Sequence, residues 1–175
     1  AEAVALARTE DATLFMVLLA AFDVLLSRYS GQEDVMVGTP IANRTRDEVE
    51  SLIGFFVNTL VLRVSVSPEA TFEKLLARVK QATLDAYAHQ DVPFEKLVEA
   101  LQPTRDLSRS PLFQVLFALQ NAPMSSAEMQ GLALRQLEVE NASARFELEL
   151  NLGETPEGYE GVLGYNTDLF EATTA

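Results

Sequence analysis

Apolar residues recur along much of the chain at the spacing of α-helices. Helical periodicity covers residues 13–30, where Thr13 fits an N-cap and Gly31 a C-terminal stop. A second apolar stripe covers residues 71–89. A shorter helix is predicted to start at Pro93, because the first helical position does not need the N–H that proline lacks. The periodicity therefore predicts three main helices, each with an apolar face to bury.

Between and after these helices, the apolar and polar positions follow the pattern of β-strands. The predicted strands cover residues 34–38, 59–66, 112–120, 132–140, 144–152 and 159–165. Pro40 is expected to end the first strand by removing a backbone donor. The apolar run at 112–120 predicts a central strand covered on both faces, and the turn at 153–158 predicts an antiparallel hairpin. The expected fold class is α/β, with a mixed, largely antiparallel sheet flanked by helices.

Size and charge narrow the possible functions. With 175 residues, 48% of them hydrophobic, the chain can bury the core of one ordinary domain. Its formal net charge of −13 is spread along the sequence and repels nucleic acid and anionic membranes, so neither is an expected partner. The absence of cysteine excludes disulfides and thiolate catalysis, and it fits a cytoplasmic location.

The first residues carry no secretory signal. Residues 1–11 include acidic side chains and lack a basic start followed by an apolar run. The longest apolar stretch, 14–22, is interrupted by Asp23 and is too short to cross about 30 Å of hydrocarbon. Because the sequence has no initiator methionine, we expect the chain to be part of a longer polypeptide.

Most motifs of common enzyme chemistry are missing from the sequence. It has no Walker phosphate loop, no dinucleotide glycine fingerprint, no GxSxG elbow and no HExxH motif, and a single histidine cannot form a multi-histidine metal site. His89, two residues from Asp91, is a candidate general base near neutral pH. Its position between two predicted helices favours the alternative, in which residues 89–91 satisfy backbone groups at the helix ends.

Carboxylates and amides provide two further candidates. Glu147 and Glu149 have the residue type needed for acid–base catalysis, but they are expected on a solvated face of a strand. Asn58 and Thr59 follow an apolar run, so they need hydrogen-bond partners if they are buried. The residues alone leave a capping role and a substrate-lining role equally open for this polar pair.

Four segments, in order along the chain, resemble the motifs of condensation domains from nonribosomal peptide synthetases. They are 53–63 (IGFFVNTLVLR), 89–98 (HQDVPFEKLV), 105–112 (RDLSRSPL) and 165–170 (YNTDLF). Residues 26–32 and 37–40 extend the resemblance over almost the whole chain. It implies one lobe of a chloramphenicol acetyltransferase-like fold, with residues 1–175 as the C-terminal lobe of a condensation domain.

The resemblance also implies a function. In this family two lobes form a V, carrier proteins deliver phosphopantetheine-linked substrates to a tunnel between them, and the acceptor amine attacks the donor thioester. The family's catalytic signature, HHxxxDG, belongs to the N-terminal lobe, and these 175 residues do not contain it. The chain is therefore expected to be inactive alone and to bind no cofactor directly. Its expected partners are the N-terminal lobe, donor and acceptor peptidyl carrier domains and an adjacent adenylation domain.

Similarity to the family's motifs gives the residues two expected roles. The expected wall of the substrate tunnel comprises Thr39, Ile41, Asn43, Gly54, Phe55, Phe56, Val57, Asn58 and Thr59. Structural roles are expected for Arg63, His89, Gln90, Asp91, Pro93, Phe94, Arg105, Asp106, Ser108, Arg109, Asn166 and Asp168. No catalytic residue and no metal ligand is expected. Carrier docking would use apolar contacts and local basic side chains such as Arg44 and Arg46.

Three alternatives stay open. The match at residues 55–59 favours peptide-bond formation over an epimerisation-type relative. A noncatalytic carrier-docking or scaffold module would carry the same motifs in a protein whose other lobe lacks HHxxxDG. An independent hydrolase or acyltransferase would depend on His89 and would keep its turnover in this chain.

Overall fold

A computed structural model describes residues 2–104, 106, 108–120, 144–155 and 158–175 of the protein. The helices there are α1 (Glu2–Thr9), α2 (Leu14–Ser30), α3 (Asp47–Glu50), α4 (Phe72–Ala88) and α5 (Phe94–Leu101). The strands are β1 (Asp34–Ile41), β2 (Asn58–Ser65), β3 (Val115–Gln120), β4 (Leu148–Thr155) and β5 (Gly158–Tyr165). The strand predicted at 132–140 and the motif residue Arg105 lie outside the described residues.

The described strands form one sheet in the order β2-β1-β3-β4-β5. β1 pairs antiparallel with β2, and β4 pairs antiparallel with β5. β3 pairs parallel with both β1 and β4. Parallel neighbours need a long connection, and the chain between β1 and β3 runs through β2, α4 and α5. The mixed α/β fold and the central place of β3 are confirmed, while the described pairings divide equally between the two orientations.

The ends of the helices follow the capping residues in the sequence. The Thr13 side chain accepts a hydrogen bond from the Met16 N–H at 3.2 Å, and Gly31 ends α2 in the left-handed conformation at φ 70°. α5 begins directly after Pro93. All three predicted helices are confirmed. No single described helix is long and apolar enough to cross a membrane, and α1 with α2 meets that criterion only as a pair bent by 107°.

β1 is longer than the sequence predicts, because it continues through Pro40 to Ile41. The parallel register with β3 covers only Val37 and Gly38 of β1. Pro40 therefore lies beyond the part of β1 that is paired on both sides, where β3 does not require its missing N–H. On its other side, Pro40 is opposite Thr59 of β2. The expectation that this proline would end the strand is wrong.

The main core lies between one face of the sheet and the helices α1, α2 and α4. Phe117 of β3 is fully buried there. Its ring centroid lies 5.4 Å from that of Phe15 and 5.7 Å from that of Phe22, both on α2. These aromatic contacts hold α2 over the centre of the sheet.

A smaller apolar cluster covers the opposite face of β3, because neighbouring residues of a strand point to opposite faces. Its centre is the buried ring of Phe113. That ring lies 5.6 Å from the ring of Phe94 on α5 and 5.3 Å from the ring of Phe146. The cluster therefore fixes α5 against the sheet, and this places α5 beside the start of β2.

Candidate functional site

The carboxamide of Asn58, at the start of β2, joins two of the predicted motifs. Its Nδ2 donates to the backbone carbonyls of Gln90 and Val92, both at 2.8 Å. Its Oδ1 accepts from the backbone N–H of Thr59 at 2.9 Å and of Phe94 at 3.1 Å. The hydrogen-bond partners that the sequence required for Asn58 are therefore present, and segment 53–63 is tied to segment 89–98.

A groove of about 370 Å³ opens beside this connection. Phe55 and Val57 line it from segment 53–63, and Pro93 and Phe94 line it from segment 89–98. Asp91 and Glu95 also line it, as do Asn43, Asn58 and Thr59. Both segments contribute apolar surface with a few polar groups, which is typical of small-ligand sites. Three separate segments of the predicted tunnel wall and motif set thus meet in one place.

Arg44 organises the loop that leads to this groove. Its guanidinium donates to backbone carbonyls of Val49, Glu50 (3.1 Å), Leu52 (2.9 Å) and Gly54 (3.4 Å). Its Cζ also lies 4.4 Å from the centre of the Phe56 ring, in a cation–π contact. One side chain therefore holds most of the loop between β1 and β2 in shape.

The same loop presents several large apolar side chains to solvent, two of them almost completely. Ile53 is fully exposed and Phe55 is 91% exposed. Arg44 does not act as the open basic contact that the sequence suggested, because its donors point at the loop carbonyls. Arg46 is exposed and has no side-chain hydrogen bond or ion pair among the described residues. The loop thus offers apolar side chains on a backbone that Arg44 pre-organises.

Replacement of Arg44 with alanine is expected to loosen this loop without unfolding the sheet. The variant leaves several carbonyls without their charged donor, and each such hydrogen bond contributes about 1–3 kcal/mol. Limited proteolysis should then cut residues 46–56 faster than in the wild type. Arg46→Ala removes the same charge and is the matched control. Equal cleavage rates for the two variants would contradict the organising role of Arg44.

The other residues of the expected tunnel wall differ in exposure. Thr39 is only 2% exposed, within β1, so it lies behind the surface. Ile41 is half-buried opposite Asn58 at the end of β1. Asn43 is in the left-handed region at φ 51°, and its Oδ1 is enclosed without a hydrogen-bond partner among the described residues. Asn43 lines the groove, whereas its described lining does not include Thr39 or Ile41.

His89 lies at the C-terminal cap of α4, with its side chain exposed. Its backbone N–H donates to the carbonyl of Ala86 at 3.1 Å, and its carbonyl accepts from Val92 at 3.1 Å. The His89 imidazole makes no hydrogen bond among the described residues, and Asp91 is one of the residues that line the groove. The helix-end position predicted from the sequence is confirmed, and the geometry supplies no partner that would activate this imidazole as a base.

The motif at 105–112 forms a hydrogen-bonded turn in its described residues. Asp106 Oδ1 accepts from the Ser108 hydroxyl at 2.6 Å and from the Ser108 N–H at 2.9 Å. These hydrogen bonds lower the pKa of Asp106. Arg109 Nε lies 3.3 Å from Glu147 Oε1. The turn is therefore linked to the strand region that precedes β4.

Glu147 differs from the prediction of a solvated carboxylate. Its side chain is 26% exposed, and Oε1 is enclosed beside Arg109. Its backbone carbonyl accepts from the Asn166 N–H at 3.0 Å. Glu147 thus connects the motif at 105–112 with the motif at 165–170. The alternating pattern along 144–152 gave no signal for this connection, because alternation reports burial and not the partner of a side chain.

The remaining motif residues have local structural contacts. Asn166 Oδ1 accepts from the Asp168 N–H at 2.9 Å and so closes the turn after β5. Arg63 Nη2 lies 2.6 Å from Asp34 Oδ2, across the β1–β2 pair. Its hydrogen bonds lower the pKa of Asp34. Both side chains of the ion pair are more than half exposed, so it adds little to stability.

Comparison with known proteins identifies the family. The profile of the condensation domain matches residues 2–175. A linear gramicidin synthase from Brevibacillus parabrevis is 51% identical over 172 residues, which are 97% of this chain and 2% of that protein. Surfactin synthase subunit 1 of Bacillus subtilis is 46% identical over 170 residues, 97% of this chain and 5% of that protein. The chain thus spans only a few per cent of these relatives.

Solved structures agree in fold. A four-domain nonribosomal peptide synthetase superposes with a TM-score of 0.88 at 28% identity, over 97% of this chain and 14% of that one. The X-domain from teicoplanin biosynthesis superposes with a TM-score of 0.84 at 31% identity, over 98% of this chain and 40% of that one. The mixed sheet with its flanking helices is therefore the fold of a condensation-type domain. The chain belongs to the condensation domain family of nonribosomal peptide synthetases.

Proposed function

We propose that this chain is the C-terminal lobe of a condensation domain that joins carrier-bound aminoacyl or peptidyl thioesters. In this proposal it forms one wall of the substrate tunnel and part of the carrier-docking surface. The observation that carries the proposal is the groove beside Asn58, in which the segments 53–63 and 89–98 meet. The relatives at about half identity, all synthetases, support the same function.

The reaction needs little chemistry from this lobe. The acceptor's amine nitrogen attacks the donor's thioester carbonyl, a C–N bond forms, the C–S bond breaks, and the leaving thiolate takes up the proton lost by the nitrogen. The imidazole that serves the amine would come from the HHxxxDG signature of the other lobe. Holding two reactants in the right geometry accounts for a large part of such a rate. The proposed task of this lobe is to hold the tethered substrates and to exclude water.

Docking of the carriers follows from the same surface. Phosphopantetheine is proposed to arrive as the tether on the carrier domains, and the chain would bind it only through them. The exposed Ile53 and Phe55 offer the apolar contacts that an overall negative chain needs for binding. An adenylation domain in the same synthetase would load the acceptor carrier.

Replacement of Phe55 with serine in the complete condensation domain of the parent synthetase tests this proposal. We expect kcat/KM for amide formation to fall by about tenfold or more, which corresponds to the loss of one good apolar contact. The melting temperature should stay unchanged, because Phe55 is exposed and contributes little to the core.

Tyr29→Ser is the matched control for this experiment. Tyr29 is an aromatic residue that is 80% exposed, at the end of α2, and it does not line the groove. Its replacement should leave both amide formation and stability at the wild-type level. Wild-type turnover in the Phe55→Ser variant would mean that the groove is not part of the tunnel.

A noncatalytic docking module is the second candidate. The observation that favours it is the likeness to a solved complex of the X-domain and OxyB from teicoplanin biosynthesis, with a TM-score of 0.81 and 29% identity. In that complex a relative of this fold is bound to another protein. The sequence of the other lobe separates the two candidates, since only a catalytic domain requires an intact HHxxxDG signature.

A further inference from the structure

The carboxamide of Asn58 uses its full hydrogen-bonding capacity inside the protein. A carboxamide has two N–H donors and a carbonyl oxygen that accepts two hydrogen bonds. Its donors bind the carbonyls of Gln90 and Val92, and its oxygen binds the N–H groups of Thr59 and Phe94. No hydrogen-bonding group of this side chain is left for a substrate in the groove.

The contact with Phe94 also caps a helix from outside. α5 begins with Pro93 at its N-cap, and proline has no side-chain acceptor for the first N–H groups of the helix. Asn58 supplies that acceptor from the neighbouring strand. Among the described residues, every side-chain hydrogen bond between β2 and residues 89–95 comes from Asn58.

We infer that Asn58 is a positioning residue that fixes the start of α5 against the start of β2 and so sets the width of the groove. It acts through the apolar side chains that line the groove from the two segments, Phe55 and Val57 from one and Pro93 and Phe94 from the other. Its effect on catalysis rests on the proposed function. Its effect on the geometry of the groove rests only on the hydrogen bonds.

Amide hydrogen exchange on this chain tests the geometric part. In Asn58→Ala, the Phe94 N–H loses its acceptor and should exchange at least about tenfold faster, as expected for loss of one hydrogen bond to a part-buried donor. The Leu76 N–H, inside α4, should keep its wild-type rate. Asn151→Ala is the matched control, because among the described residues the Asn151 side chain hydrogen-bonds only to the Glu149 side chain, on β4. Unchanged exchange at Phe94 would overturn the inference.

Asn58→Asp provides a second variant if the alanine variant does not fold. Aspartate keeps an acceptor for the Phe94 N–H and loses both donors to the carbonyls of Gln90 and Val92. Exchange at the Val92 N–H, which closes the turn between α4 and α5, should then be faster than in Asn151→Ala. Equal exchange at Val92 in the two variants would also overturn the inference.

Kinetics of the complete condensation domain test the catalytic part. With Asn58→Ala we expect the KM for one of the two carrier-bound substrates to rise about tenfold, while the other KM and kcat change by less than about threefold. A general loss of stability would not select one substrate, so equal changes in both KM values contradict a positioning role. A wild-type domain that forms no amide contradicts the proposed function instead, and the exchange experiment still decides the role of Asn58.

Discussion

Raising the pH from about 5 to about 9 should destabilise the fold by roughly 3 kcal/mol, and Asp23→Asn should remove most of this loss. Asp23 lies in α2 among the residues of the main core and is 1% exposed. Burial raises its pKa to about 7, and its Oδ2 has no hydrogen-bond partner among the described residues. Between about pH 4 and about pH 7, Asp23 is therefore protonated in the folded protein and ionised in the unfolded chain.

The direction of the effect follows from that proton. The pKa of Asp23 is higher in the folded state, so its neutral form is tolerated at low pH and stability falls as the pH rises from about 4 to about 7. Asp11, Asp34 and Asp106 have lowered pKa values. Their ionisation makes the fold more stable as the pH rises, and it takes place below this window. Measurements above about pH 5 separate the two groups.

Urea unfolding at a series of pH values measures this effect. Asparagine has nearly the shape of aspartate and carries no charge, so the Asp23→Asn variant should be more stable than the wild type above about pH 7. The stability difference caused by the charge should disappear below about pH 4, where Asp23 becomes protonated in the unfolded state as well. A wild-type stability that does not change between these pH values would contradict a buried, unpartnered Asp23.

Gly38→Ala should destabilise the protein by about 3 kcal/mol or more, and it should weaken the support of the groove. A Cβ at Gly38 would lie 2.1 Å from Cε2 of the Phe113 ring, far inside van der Waals contact. Phe113 is 2% exposed and is held between the rings of Phe94 and Phe146, so it cannot move aside. β1 or α5 must shift instead.

A second substitution in the same place checks this explanation. Phe113→Leu should recover part of the lost stability when it is combined with Gly38→Ala, because the smaller side chain leaves room for the new methyl group. Gly153→Ala is the matched control, since a Cβ there meets nothing within 4 Å. Thermal unfolding of the single and double variants provides the comparison. A double variant that is no more stable than Gly38→Ala alone would exclude the contact with Phe113 as the cause.

The local elements of the fold could be predicted because their signals are local. Thr13, Gly31 and Pro93 mark helix ends through capping and missing donors, and the structure places the ends of α2 and α5 beside them. The expectation at Pro40 fails for a related reason. Whether a missing N–H matters depends on how far the neighbouring strand extends, and that is a property of the sheet and not of the segment.

The candidate site was only partly predictable. The motifs at 53–63 and 89–98 could be found in the sequence, but it left open whether Asn58 caps a helix or lines a groove. The answer depends on the hydrogen bond between Asn58 and Phe94, which are 36 positions apart in the sequence. Arg44 presents the same difficulty, since a basic residue in a loop fits either a docking surface or an internal clamp. The periodicity of the sequence does not separate these alternatives, because they differ in which distant groups the side chain contacts in the folded protein.

Amide formation by the chain with and without the other lobe tests the central claim most directly. The assay contains two loaded carrier domains and follows the joined product by mass spectrometry. We predict product from the complete condensation domain of the parent synthetase and none from this 175-residue chain alone, since His89 is its only histidine and is exposed at a helix end. Turnover by the chain alone, lost again in His89→Ala, would contradict the proposal that the catalytic imidazole comes from the other lobe.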